Sequence, residues 1–276
     1  MESTLSADAS PVEASVPAAP GVVVAVVVDQ PTTALEEVFG ALGAQDYPNI
    51  QVLVLLTGSD ADELEVVRQI VQATVPTAHI RQLGAHIGFG VAANTALRLV
   101  EGDSGFFLIM HDDVVMAPDA LRILVEELYR SNAGMVGPKF VEWDDSRRLQ
   151  AVGFDCDWFG ELDSVVEPHE LDQEQHDAVR DVFVLSSACV LVRADLFREL
   201  DGFEPSIEFF GEEDVIVAPS VHDEGGDMAR HRRPVDIGLH RAFPADGVAR
   251  KQQEAAERFD LVKLEPVLGR ADFDPV

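Results

Sequence analysis

The chain has 276 residues, 47% of them hydrophobic, and carries 20 Lys and Arg against 50 Asp and Glu, a formal net charge of -30. That length and apolar content support one large domain, or slightly more, with a real core. The charge balance excludes nucleic acid as a partner and adhesion to an anionic membrane through a basic patch. No apolar run approaches the roughly 18 residues of a membrane span.

In chain order, residues 1–20 are Ala/Ser/Pro-rich and acidic, and read as a disordered arm. A first strand is predicted over 22–28. Pro20 and Asp29-Gln30-Pro31 bound this apolar run, and no basic stretch precedes it, so it reads as a strand rather than a signal peptide. Thr32 or Thr33 caps a helix over 34–44 with Leu35, Val38, Phe39 and Leu42 on one face. A second strand follows over 51–56, then a helix that starts at Asp60 or Asp62 and runs to about residue 73. A short third strand spans 79–83, a Gly-rich loop 84–90, and a helix 91–100. Residues 106–110 make a fourth strand, and a helix runs from 118 to about 130. This alternation predicts a doubly wound, mostly parallel sheet with right-handed crossovers.

After Gly134 the rhythm changes. Residues 135–140 read as a strand ending in a turn, and 142–180 as a polar, loop-rich insertion with a hairpin near 152–162. A strand is predicted over 182–192, a short helix over 194–200, and a last helix over 248–261. Cys156 and Cys189 are far apart and form no Cys-x-x-Cys, so they read as free thiols in a reducing compartment.

The most informative stretch is Phe106-Phe107-Leu108-Ile109-Met110-His111-Asp112-Asp113. Five apolar residues mark a buried parallel strand. Side chains at the carboxyl end of such a strand face the crevice where α/β proteins bind ligands. Two adjacent carboxylates there are costly unless a cation joins them. A hard divalent ion with a bound phosphate fits, since it takes one or two carboxylates plus phosphate oxygens. For a protein of this charge, such a local cation also answers the long-range repulsion of an anionic substrate. Without the preceding strand, two solvated Asp in a turn would be the simpler reading.

Several motifs occur in a fixed order: the first strand and helix, Gln45-Asp46-Tyr47-Pro48-Asn49-Ile50, Gly88-Phe89-Gly90 with Asn94, His111-Asp112-Asp113, Gly134-Met135-Val136-Gly137-Pro138, Gly202-Phe203, and Phe209-Phe210-Gly211-Glu212-Glu213-Asp214. Over residues 22–220 this order resembles a family 2 glycosyltransferase of the bacterial cell-wall or surface-glycan type. The resemblance implies an α/β fold of the GT-A (Rossmann-like) kind, a single domain with a mostly parallel central sheet flanked by helices. It divides the chain into an arm (1–20), the GT-A domain (21–222) and a polar, helical extension (223–276).

The resemblance also implies roles. Asp113 ligates Mg²⁺ or Mn²⁺ on a nucleotide diphosphate, with Asp112 and His111 beside it as donor-binding residues, His111 against the ribose or the metal, and His222 is the candidate for a further metal ligand. Gly88, Phe89, Gly90 and Asn94 belong to the donor-binding segment, although a Gly-rich loop before a helix, with Asn94 facing water, is the plain alternative. Asp214 or Glu213 is the base that takes the acceptor hydroxyl's proton; an acidic turn is the competing reading. The expected activity is inverting, metal-dependent transfer of a sugar from a nucleotide-diphosphate sugar to a glycan or lipid-linked acceptor, in the cytoplasm or at the inner face of the cell membrane.

Three departures stand out. Leu56 occupies the place of an Asp that grips the nucleotide base, with Asp60 as a substitute, and Asp29 stands where a Thr or Pro is usual. The helix that normally follows the Glu-Asp loop is missing after Asp214. The metal-binding His is represented only by His222 or His231. These departures support an alternative, a catalytically degenerate GT-A-like binding or assembly domain. A nucleotidyltransferase ranks last, because Asp29-Gln30-Pro31-Thr32-Thr33 offers no Gly-rich basic loop. Trp143 and Trp158 read as core or loop anchors, and Arg230-His231-Arg232-Arg233 as a solvated run.

Overall fold

A computed structural model describes residues 19–58, 60–84, 87–100, 105–156, 162–203 and 205, with backbone alone at Cys156, Leu162, 239–241 and 249–251. In chain order its first half contains β1 (Val22–Val28), α1 (Leu35–Gly43), β2 (Ile50–Leu56), α2 (Ala61–Thr74), β3 (His79–Gln82), α3 (Phe89–Ala93), α4 (Thr95–Leu99), β4 (Phe106–His111), β5 (Val114–Met116) and α5 (Ala120–Ser131). There follow β6 (Met135–Val136), β7 (Phe140–Glu142), β8 (Leu149–Ala151), β9 (Phe154–Cys156), β10 (Leu162–Ser164), β11 (Val179–Asp181), β12 (Cys189–Arg193), α6 (Ala194–Glu199), β13 (Leu239–Arg241) and β14 (Ala249–Lys251).

The central sheet has the order β3-β2-β1-β4-β12-β6. Strands β1 to β4 pair in parallel, while β12 runs antiparallel to both β4 and β6. The near-continuous apolar strands reflect cover on both faces. Val24, Val26 and Val28 of β1 join Leu108 and Met110 of β4 in one core, closed by Leu35, Val38, Phe39 and Leu42 of α1, with α2 and α5 beside them. Ala25 and Val27 point the other way, into a second core with Phe107, Ile109, Ala92, Ala93 and Phe197. The chain thus forms three layers, with α1, α2 and α5 on one face and α3, α4 and α6 on the other.

A second sheet, β5-β14-β7-β8, is built beside the first. Its first strand follows the Asp112–Asp113 turn directly, so that turn is pinned between two sheets. Between β7 and β12 lies the polar insertion, with the β9–β10 hairpin near its expected place. Lys139 anchors this insertion from below. It is 1% exposed, and its Nζ lies 2.7 Å from Asp172 Oδ2 and 2.6 Å from Asp177 Oδ1. A buried ammonium is tolerable only with such partners.

Several expectations are corrected. Helix α1 starts without a side-chain cap, although the Thr32 hydroxyl accepts from the Ala34 N–H at 3.3 Å. The helix expected over 91–100 is two five-residue helices meeting at Asn94. The strand expected over 135–140 is broken into β6 and β7. The strand expected over 182–192 holds only from Cys189. Residues 184–188 are buried without alternation, and the Ser186 hydroxyl accepts from the Ala188 N–H at 3.3 Å, which bends the chain before β12. Of the helix expected over 248–261, residues 249–251 are a strand and the rest lies outside the described residues. The arm over 1–18 lies outside them as well. Pro20 is tied in through its carbonyl, which accepts from the Tyr47 hydroxyl at 2.7 Å.

Candidate active site

Strands β1 and β4 are parallel neighbours with Val27 level with His111. Their carboxyl ends therefore release Asp29 and Asp112 side by side. The Asp112 carboxylate accepts hydrogen bonds from the backbone of Asp112 itself and of Asp29, yet its pKa is pushed up to about 7, by burial first and then by the charges of Asp113 and Asp29. Three carboxylates converge here from two strands.

The sign of the resulting pH effect is fixed. An acid whose folded pKa lies above its unfolded value binds more protons when folded, so stability falls as pH rises between the two values. In metal-free protein we expect stability to decline from about pH 4 to pH 7 by on the order of a few kcal/mol from this group. Urea melts in a chelator check this, and Asp112→Asn is expected to flatten the decline. An equally steep decline in the variant would assign it to other groups.

His111 closes one side of the turn. Its ring lies 4.3 Å from that of Phe89, tilted by 49°. Its Nε2 is 3.4 Å from the buried Ser187 Oγ, and its Nδ1 is 4.0 Å from Asp113 Oδ1. The His111 backbone N–H donates to the Ala188 carbonyl at 3.0 Å. The bend before β12 therefore places Ser187 against the turn. Residue spacing did not signal this contact, because it joins positions far apart in sequence.

The glycine segment is brought to the same place, although not as a long helix. Gly88 is the N-cap of α3 with φ -62° and ψ 157°, and Gly90 is buried. Phe89 links His111 to Phe203, whose ring it meets edge-on at 5.7 Å.

Asn94 has a different task from either one expected of it. Its Nδ2 donates to the Phe203 carbonyl at 2.8 Å, and its Oδ1 accepts from the Phe203 N–H at 2.8 Å. The amide thus clasps the backbone of a residue 109 positions later, and faces neither water nor the crevice. Gly202 makes the clasp possible. It has φ +81°, and a Cβ there would fall 2.1 Å from Asn94 Oδ1.

The departure at Leu56 has a plain physical reason. Leu56 is fully buried in the core under α1, so its side chain points away from the crevice. Asp60 is committed to its own helix. Its Oδ1 accepts from the N–H groups of Asp62 and Glu63, both at 2.9 Å, and Glu63 returns a bond to the Asp60 N–H. This is a complete capping box.

The polar group that does stand at the ends of β1 and β2 is Asp29. Its Oδ1 accepts from the hydroxyl of Thr57, which is 2% exposed, at 2.9 Å. The signal was present as the first polar residues after two apolar strands.

Glu213, Asp214, His222, Trp158 and residues 230–233 lie outside the described residues. Trp143 packs partly buried against the core. Cys189 is a free thiol, fully buried, with its pKa pushed up to about 12 by that burial.

Among the described residues no group of three or more His, Cys, Asp and Glu is placed to hold a metal. Asp112 and Asp113 still fit a divalent ion that shares its shell with phosphate. The pair supplies two hard oxygen donors, and their crowding raises the pKa of Asp112, which a cation would relieve. A separate cavity of about 750 Å³ lies against Gly40, Met116, Pro118, Lys139 and Asp177 and touches none of these site residues.

Residues 17–259 match the family described as glycosyltransferase-like family 2. No curated protein matches the chain. Among solved structures, S. aureus TarS 1–349 in complex with UDP-GlcNAc is similar at TM-score 0.55 and 15% identity, covering 84% of this chain and 58% of that one. The UDP complex of the same TarS fragment gives TM-score 0.54 and 15% identity, with 86% and 62% covered. GalNAc-T7 with UDP, GalNAc and Mn²⁺ gives TM-score 0.60 and 10% identity, with 84% and 43% covered. The chain spans less than two thirds of the length of each, and at these identities the likeness is one of fold, a GT-A fold. The match over 17–259 is broader: this chain belongs to the glycosyltransferase family 2 group.

Proposed function

We propose that the protein is an inverting, metal-dependent glycosyltransferase that moves a sugar from a nucleotide-diphosphate sugar to a hydroxyl of a glycan or lipid-linked acceptor. The observation that carries this reading is the Asp112–Asp113 turn at the carboxyl edge of the sheet, crowded by Asp29 and backed by His111. The TarS and GalNAc-T7 structures were determined with UDP, UDP-GlcNAc, or UDP with Mn²⁺, which supports the same reading by fold.

In this proposal Asp113 and Asp112 hold Mg²⁺ or Mn²⁺, with His222 as a further ligand. The ion's chemistry is to offset the charge of the departing diphosphate. His111, braced by Phe89 and Ser187, keeps the Asp113 side of the turn in register. Gly88, Phe89 and Gly90 line the donor side, and the Asn94 clasp fixes where the segment after Phe203 begins. That segment carries Glu213 and Asp214. Asp214, or Glu213 beside it, accepts the proton of the acceptor hydroxyl. The acceptor oxygen then bonds to the anomeric carbon from the face opposite the diphosphate. The bond from that carbon to the phosphate oxygen breaks as the new one forms, and the configuration inverts. Among the described residues no helix is long and apolar enough to cross a membrane. Work in the cytoplasm or at the inner membrane face belongs to the proposal.

The test is calorimetric titration with a panel of nucleotide-diphosphate sugars, with and without Mn²⁺, followed by detection of released nucleoside diphosphate. Metal-dependent binding with turnover supports the reading. Binding without turnover across a broad acceptor panel favours the degenerate-domain alternative. Absence of binding removes the donor site.

A further inference from the structure

The cavity of about 750 Å³ beside the site is walled by α1, by β5 with the residues after it, and by the insertion. Its size is that of small-ligand pockets, which span about 300–1,000 Å³. Ala41 of α1, Met116 of β5 and Pro118 give it apolar walls, while Lys139, Ser146, Asp172 and Asp177 give it polar ones. Lys139 is the unusual member, an ammonium 1% exposed that still borders open space. It donates to Asp172 Oδ2 at 2.7 Å and to Asp177 Oδ1 at 2.6 Å. An ammonium has three protons to give, and among the described residues the third has no partner. Asp177 Oδ2 has none among them either. A buried donor left in this way is costly until something accepts from it.

Gly40 is a second, independent sign. It lies inside α1 and borders the cavity. A Cβ there would meet no atom within 4 Å. Glycine weakens a helix interior, and the packing of the described residues does not require it at this position. Its effect is to keep the cavity open.

We propose that this cavity binds a neutral, polyhydroxylated ring, a sugar unit of a glycan, at a site separate from the Asp112–Asp113 turn. A hydroxyl both accepts and donates. A pair of ring hydroxyls can therefore take the remaining Lys139 proton and give one of their own to Asp177 Oδ2, while the ring's C–H face lies on Met116 and Pro118. An anion meets the carboxylates of Asp172, Glu174 and Asp177. Arg147 does little to offset them, since Asp145 holds its guanidinium at 2.8 and 3.0 Å. A cation stands beside the buried Lys139 charge and leaves its third proton without an acceptor. An apolar ligand leaves the same proton unmet. The site goes beyond the donor reading and needs neither nucleotide nor metal. Under the proposed function it would hold glycan units away from the reacting hydroxyl, along β5, the strand that leaves the turn.

The experiment uses the full chain in a chelator without nucleotide. The probes are maltose, cellobiose and chitobiose, with inorganic phosphate and spermidine as the charged controls, read by saturation-transfer NMR and calorimetry. At least one disaccharide is expected to bind wild type, and neither charged control to compete with it. Gly40→Leu places a side chain in the open space, so it should abolish that binding while its melting temperature holds or rises. Its Mn²⁺-dependent binding of UDP should stay that of wild type. Asp177→Asn keeps an oxygen for Lys139 but replaces the open acceptor with a donor, and should weaken the disaccharide by about 10-fold.

Failure of all three disaccharides to bind wild type overturns the proposal. Binding that survives in folded Gly40→Leu overturns it too, because the sugar then sits elsewhere. So does phosphate or spermidine binding that Gly40→Leu removes, since the cavity would then select charge. None of these results touches the donor-site reading, which fails only if UDP with Mn²⁺ does not bind wild type.

Discussion

Asp113→Ala is expected to remove Mn²⁺-dependent binding of nucleoside diphosphates, weakening it by about 100-fold or more. Even groups that only orient a metal ligand cost 10- to 100-fold when lost. Asp112→Asn should do less damage, because Asp112, with its pKa near 7, is already partly protonated at neutral pH without metal. The same Asp113→Ala change should act oppositely on stability. Asp113 is the largest charge raising the pKa of Asp112, so removing it relieves a repulsion inside the fold. In a chelator at pH 8 the variant should therefore unfold at higher urea than wild type while binding worse. Loss of stability together with function is common in damaged proteins, whereas gain of one with loss of the other marks a site kept under tension for its ligand. Binding within 3-fold of wild type, by calorimetry with saturating Mn²⁺, would sink the assignment of the metal to this turn.

The other large effect belongs to Gly202. Gly202→Ala forces an L-residue to φ +81° and brings its Cβ to 2.1 Å from Asn94 Oδ1. The backbone conformation costs roughly 1–2 kcal/mol and the overpacking another ~1–3 kcal/mol. We expect a total near 3 kcal/mol in urea unfolding. Asn94→Ala alone should cost about 1–3 kcal/mol, since it strips partners from both backbone polar groups of buried Phe203. The two are not independent. In the double variant the colliding oxygen is gone, so the combined loss should fall short of the sum. Strict additivity would show that the contact with Asn94 is not what demands glycine there.

Where the sequence was legible, local chemistry decided the outcome. Strand β1 begins and ends at the expected residues because Pro20 and Asp29 bound an apolar run that both layers bury. Helix α1 buries Leu35, Val38, Phe39 and Leu42, the face its spacing predicts. The start of α2 is expected at Asp60 or Asp62, and Asp60 is its N-cap, in a capping box that spans only four residues. The site's core, a polar cluster at the end of an apolar strand, was visible for the same reason.

What escaped was set by partners far away in the chain. Asn94 interrupts a helix because its amide serves Phe203. The segment before β12 looks like an alternating strand, but it bends so that Ser187 can meet His111. Asp60 reads as a donor contact because it is a carboxylate after β2, yet helix termini compete for such groups. In the sequence Asp29 reads only as a departure, since its pairing with Thr57 arises from parallel strands whose ends meet across 28 residues.

Strand β14 has a consequence for how the molecule comes into being. It lies between β5 and β7, with Lys251 paired to Val114, the residue immediately after Asp113. The neighbour of the carboxylate turn thus comes from more than 130 residues downstream. Contacts of such separation are closed late, because the entropy of the intervening loop must be lost before they form. On a ribosome that releases the chain from its N-terminus, the central sheet has its first four strands long before the small sheet can acquire its middle one. The nascent protein would pass through a stage with β5 carrying an open edge and the turn held from one side only. Under the proposed function, competence to hold a metal and its diphosphate would be among the last properties the chain acquires, which would postpone donor capture until the fold around it is closed.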